Sequence, residues 1–105
     1  MTVGEMRMVV LLRDHRCVAP LVDPDCGPCY DRWGEPLRPG MRLSDLEMDY
    51  VRHGATGARH ELASDHVMLC PGHHRGTGPN AGGRQWATSH RPQLRRYLQG
   101  LARDG

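Results

Sequence analysis

Two short-spaced donor pairs constrain this chain more than any other feature: Cys26-Gly-Pro-Cys29 and Cys70-Pro-Gly-His73. Two residues between donors let a tight turn aim both side chains at one point, and Gly and Pro supply that turn in both places. A mixed set of thiolates and imidazole suits a tetrahedral ion without redox chemistry, so zinc is the expected occupant. Cys17 offers a further thiolate. Spacing alone favours Cys26 with Cys29, and leaves Cys17 as the competing N-terminal ligand. The other readings of the cysteines are free buried thiols or a redox pair, and no strand–Cys-x2-Cys–helix context supports the redox pair.

A cross-link of this kind answers a need set by composition. The chain has 105 residues, 38% of them apolar, with thirteen glycines, eight prolines and no phenylalanine. That is enough for one domain, but a core this poor in large side chains buries little surface against the chain entropy it must overcome. The longest apolar run, Met8 to Leu12, falls far short of the ~20 residues of a membrane span and of the roughly 7–15 of a secretory h-region. A cytoplasmic location is expected, where paired thiols indicate zinc rather than a disulfide.

All fourteen basic residues are arginine. Residues 1–58 carry seven of them against nine acids, and residues 59–105 carry seven against three. A basic half built from planar guanidinium forks suits contact with phosphate; a solvated surface is the plain alternative.

Local patterns place these residues on elements. Residues 5–14 read as a short helix, although Val9–Leu12 also fits a strand. Residues 15–40 are dense in Pro and Gly and read as an irregular hairpin or loop. Residues 46–51 alternate, with Leu46, Met48 and Tyr50 on one face and Glu47, Asp49 and Val51 on the other, which predicts a strand. Residues 52–64 read as a loop. Val67–Leu69 leads into Cys70, and a short helix is expected from Pro71. Thr88 or Ser89 is positioned to cap a C-terminal helix over about 89–103, with Leu94, Tyr97, Leu98 and Leu101 on its apolar face. His74 follows His73 directly, and about 100° of helical rotation separates them, so the two histidines serve different sites.

Strand, loop, Cys-x2-His and an immediately following His is a layout that resembles the HNH endonuclease family. The residues that carry the likeness are RDHRC (Arg13–Cys17), LEMDYV (Leu46–Val51) and SDHVMLCPGHHR (Ser64–Arg75). The tail GRQWATSHRPQLRRYL (Gly83–Leu98) is similar to that of small HNH proteins of actinobacterial phages. The resemblance spans roughly residues 13–100. It implies a small α+β fold: one domain over 1–105, with a zinc-stabilised ββα-metal core at about 13–76 and flanking N- and C-terminal helices.

The resemblance also implies roles. Structural zinc is held by Cys17, Cys29, Cys70 and His73, with Cys26 the alternate to Cys17. Asp49 and His74 hold a catalytic divalent ion, Mg²⁺ or Mn²⁺, beside the scissile phosphate. Two positions depart from the family: Tyr50 stands where its first catalytic histidine falls, and Asp65 or His66 where its asparagine falls. Asp49, Tyr50, His66 and His74 are thus the expected catalytic group. His53 and His60 are the alternative bases, and Arg52, Arg59, Arg75 and Arg84 the expected DNA contacts. Double-stranded DNA is the implied substrate, phage packaging proteins the implied partners, and the bacterial host cytoplasm during infection the implied location. Beside this endonuclease stand two other readings: a catalytically silent zinc-stabilised DNA-binding or assembly module, and a zinc-stabilised protein-interaction domain.

Overall fold

The computed structural model describes residues 2–37, 43–51, 63–78 and 85–104. Within them the chain is a small α+β protein of five α-helices and one two-stranded sheet: α1 (Val3–Asp14), α2 (Ala19–Val22), β1 (Glu47–Tyr50), β2 (His66–Leu69), α3 (Pro71–Arg75), α4 (Gln85–Ser89) and α5 (Arg91–Asp104). No described helix is long and apolar enough to cross a membrane.

Helix α1 begins two residues earlier than the apolar pattern suggests, because Thr2 and Glu5 form a reciprocal capping box. Thr2 Oγ1 accepts from the Glu5 amide at 3.1 Å, and Glu5 Oε1 accepts from the Thr2 amide at 3.2 Å. Met6, Val10 and Leu11 are its buried apolar side chains, and Val3, Met8, Val9 and Leu12 remain exposed. This resolves the helix-or-strand ambiguity of Val9–Leu12: one stripe of a helix, not alternate residues of a strand, enters the core.

β1 and β2 pair antiparallel with Glu47 opposite Leu69, Met48 opposite Met68, Asp49 opposite Val67 and Tyr50 opposite His66. All four residues of β2 are buried. In β1 the burial departs from the alternation: Asp49 is buried, whereas Met48 and Tyr50 are only half-buried. The acidic face is the covered one, since α3 lies against it through His74. Leu46 and Val51, just outside the strand, are buried with Val10, Val18, Val67, Leu69 and Leu94 in the core.

Two further differences have local causes. The irregular stretch after α1 contains a short helix, α2, with Pro20 in its first turn, where its missing N–H costs nothing. The C-terminal helix α5 starts at Arg91 rather than near residue 89, and Thr88 and Ser89, expected as its cap, lie inside a separate short helix, α4, that stops before His90. There His90 Nδ1 lies 2.9 Å from the Trp86 carbonyl oxygen and Nε2 lies 3.0 Å from Asp23 Oδ2.

The buried carboxylate of Asp14 joins three elements. It accepts from the Met68 amide at 2.9 Å, from Arg13 Nε at 2.8 Å and from the Tyr97 hydroxyl at 2.8 Å. Arg13 also donates to the carbonyls of Ala63 and His66. The Arg13-Asp14 pair therefore fixes the start of β2 and the C-terminal helix against α1.

Candidate metal centre and the adjoining acid–histidine site

α3 is one and a half turns long and well terminated. Cys70 is its N-cap, Pro71 sits in its first turn, and Gly76 at φ 83° closes it in the left-handed conformation. That short helix presents His73 and His74 to different surroundings.

His73 is fully buried and faces a group of sulfurs. Its Nδ1 lies 3.1 Å from Cys70 Sγ, 3.8 Å from Cys29 Sγ and 3.9 Å from Cys17 Sγ. The four donor atoms all fall within 4.8 Å of one another. His73 Nε2 lies 3.0 Å from the Cys26 carbonyl oxygen, which fixes it as the protonated nitrogen and points Nδ1 at the thiols. The Cys26 thiol is directed away, donating to the Gly27 carbonyl at 3.3 Å. Three thiols and an oriented imidazole are a donor set that fits zinc. Cys17, at the end of the stretch that follows α1, completes the set; Cys26 contributes its carbonyl.

The protons of this cluster are unevenly shared. Hydrogen bonds from Cys17 and Cys29 hold the Cys70 thiol well below the usual thiol range, against the effect of burial. Hydrogen bonding to Cys29 and Cys70, with burial, pushes Cys17 far above that range. Burial works to lower His73, but its bonds to Cys29, Cys70 and the Cys26 carbonyl outweigh it and push the imidazole up to about 11. A cation held by Cys17, Cys29, Cys70 and His73 would take the place of these protons, which would couple metal uptake to proton release.

His74 turns out of the cluster toward β1. Its Nδ1 lies 2.9 Å from Glu47 Oε1, and its Nε2 lies 3.6 Å from Asp49 Oδ1. Arg75 clamps the same glutamate, with Nε 2.9 Å from Oε1 and an amino nitrogen 2.7 Å from Oε2. Glu47 thus orients the imidazole and leaves Nε2 facing the buried Asp49. Glu47 did not figure among the expected site residues. The signal for it is the strand period: it lies two residues before Asp49 and on the same face.

The four expected catalytic residues therefore separate into two pairs. Asp49 and His74 meet, and Tyr50 and His66 meet on the opposite face, with ring centroids 5.2 Å apart. Asp65 is buried at the entrance to β2. Arg75 is placed beside the Asp49–His74 pair. Arg52, Arg59 and Arg84, like the alternative bases His53 and His60, lie outside the described residues.

Trp86, on α4, packs against the Cys3His cluster. Its ring meets His73 edge-on at 4.9 Å and stacks on His90 at 4.2 Å. No protein-family model, curated protein or solved structure matches the chain.

Proposed function

We propose that the chain is a metal-dependent endonuclease of the HNH, or ββα-metal, type that hydrolyses phosphodiester bonds in DNA. One observation carries this reading: of two consecutive histidines on α3, His73 enters the Cys17/Cys29/Cys70 cluster while His74 Nε2 comes within 3.6 Å of Asp49 Oδ1. In this account β1, β2 and α3 form the ββα core, and zinc at the cluster sets the helix that carries His74.

Asp49 and His74 are the residues that would hold a catalytic Mg²⁺ or Mn²⁺. The donors fit such an ion: a carboxylate oxygen and an imidazole nitrogen freed by the bond that the other nitrogen makes to Glu47. When bound, the cation supplies charge neutralisation at the scissile phosphate and its leaving oxygen. Glu47 holds His74 in one tautomer, and Arg75 holds Glu47. Arg75 also brings a guanidinium to the edge of the site, where a phosphate would approach. Proton removal from the attacking water falls to a group other than the Tyr50 phenol, whose ring packs on His66 across the sheet from Asp49.

That placement of Tyr50 also favours a second reading, a catalytically silent zinc-stabilised module for DNA binding or assembly. Plasmid nicking by the zinc-loaded chain with Mg²⁺ or Mn²⁺ decides between them. Nicking by wild type that disappears in His74→Ala, with zinc content unchanged, supports the endonuclease. A zinc-loaded wild type that nicks with neither cation but binds duplex in a salt-dependent way leaves the silent module. By the same resemblance, phage packaging proteins are the partners to test for association.

A further inference from the structure

We infer that the cleft beside Trp33 is a nucleobase site, in which an unstacked base of single-stranded or locally opened DNA lies on the Trp33 ring. The proposal deepens the endonuclease reading and rests on it for its substrate class; its geometry is independent of the metals.

Trp33 is 73% exposed, although it is one of the largest apolar side chains in a protein with few of them. It is held there by a well-braced turn. Asp31 Oδ1 accepts from the Trp33 amide at 2.8 Å and the Glu35 amide at 3.0 Å, and the Asp31 carbonyl accepts from Gly34 at 3.1 Å and from Thr77 Oγ1 at 2.7 Å. Gly34 adopts φ +81°, and a Cβ there would meet the Gly78 backbone at 3.0 Å, so the turn is packed directly on the segment after α3. An aromatic ring displayed on a rigid turn, with no core to enter, is built for contact.

The ring's surroundings select the ligand. The Arg32 guanidinium lies 4.7 Å from the Trp33 ring centroid and covers one face. A base on the other face extends a cation–aromatic stack, the arrangement that single-strand binders use because every base has a flat apolar face. The cleft has a volume of about 460 Å³, in the range of small-molecule sites, and its wall includes Arg7, Leu46, Glu47, Pro71 and Arg75. Among the described residues Arg7 spends its donors on carbonyls, Ser44 at 3.2 Å and Leu46 at 2.8 Å, rather than on a carboxylate. Its guanidinium stands in the cleft wall with Arg32 and Arg75, alongside the carboxylates of Asp31 and Asp45. Glu47 and Arg75, the two residues that orient His74, form part of the same wall. The cleft and the surroundings of His74 therefore adjoin through these two residues, and one strand would serve both.

The test uses the full zinc-loaded chain without Mg²⁺ or Mn²⁺ and a labelled oligothymidylate, with an abasic strand and a duplex of the same length. Binding of oligothymidylate quenches tryptophan emission in wild type and weakens about tenfold or more in Trp33→Ala, the usual scale of one lost base stack, while Trp33→Phe stays near wild type. The exposed position makes the fold insensitive to either change, and circular dichroism with zinc content verifies it. The difference between wild type and Trp33→Ala vanishes on the abasic strand and is smaller on the duplex. Equal binding by wild type and Trp33→Ala, or an equal loss on the abasic strand, overturns the base site. A chain that binds oligothymidylate through Trp33 yet nicks no plasmid overturns the endonuclease reading alone, whereas one that nicks normally while Trp33→Ala binds as wild type overturns the base site alone.

Discussion

His73 Nε2 lies 3.0 Å from the carbonyl oxygen of Cys26, and this single contact leaves Nδ1 pointing at three cysteine sulfurs. The bond uses the backbone of Cys26, so the thiol at that position is dispensable. Cys26→Ser is expected to retain about one zinc per chain. Cys17→Ser, Cys29→Ser, Cys70→Ser and His73→Ala each remove one of four donors and are expected to lose it. Because zinc binding is folding free energy in a domain of this size, chelation should also abolish the cooperative thermal transition of wild type. Metal analysis after gel filtration, with circular dichroism on the chelated chain, checks both statements. A Cys17→Ser chain with full zinc content would sink the assignment.

The Asp49–His74 contact makes a second prediction, about the proposed nuclease activity. Asp49→Ala and His74→Ala lie outside the Cys3His cluster, so both should keep zinc while losing cleavage by about 10²-fold or more, the usual scale for removing one transition-state contact. Tyr50→Phe should cleave within a few-fold of wild type, because its ring is on His66 rather than on Asp49. Single-turnover nicking rates at fixed Mg²⁺ or Mn²⁺ provide the measurement. Loss of cleavage in Tyr50→Phe would place the phenol in the reaction after all.

How much of this was readable beforehand depended on the range of the interaction. Residues 71–75 form their helix from local chemistry, with Pro71 at the start and Gly76 at the end, and the divergence of His73 and His74 follows from helical rotation alone. The strand at Glu47–Tyr50 was equally legible from its alternation. Which face it buries was not, because the apolar face of Met48 and Tyr50 lost the covered side to a buried carboxylate. Helix α3 and its histidine decide that, and they come from another part of the chain.

The choice between Cys17 and Cys26 was likewise beyond spacing. A two-residue gap says that Cys26 and Cys29 are close, not that both sulfurs face one point. The turn at Gly27, with φ +84°, carries the Cys26 thiol toward its neighbour's carbonyl instead. Nothing local marks the Asp14–Tyr97 contact either, since it joins residues 83 apart in the sequence.

Asp14 is sensitive to substitution, because its side chain is fully buried and meets donors from three elements. Removing that carboxylate leaves the Met68 amide and the Tyr97 hydroxyl without their acceptor, and leaves Arg13 with only the carbonyls of Ala63 and His66. Asp14→Ala should therefore cost on the order of 3 kcal/mol in the zinc-loaded chain. Asp31→Ala, whose carboxylate braces an exposed turn, should cost about 1 kcal/mol. Denaturant midpoints at constant free zinc measure the difference, and equal losses for the two variants would contradict the role given to Asp14.

Tyr97 provides the pH dependence. Burial first, and then its hydrogen bond to Asp14, raise this phenol above the ordinary tyrosine value of about 10. The folded chain thus holds the proton more tightly than the unfolded chain does. The corresponding stability is complete below the unfolded pKa of about 10 and is lost as pH rises through the folded one. Tyr97→Phe abolishes that dependence, so its loss of stability between pH ~9 and ~11.5 should be shallower than that of wild type. The same variant identifies the group directly. An ultraviolet titration of the zinc-loaded wild type should show a late phenol ionisation that is missing in Tyr97→Phe. A Tyr97 phenol ionising near the ordinary pH of ~10 would mean that its contact with Asp14 does not persist in solution.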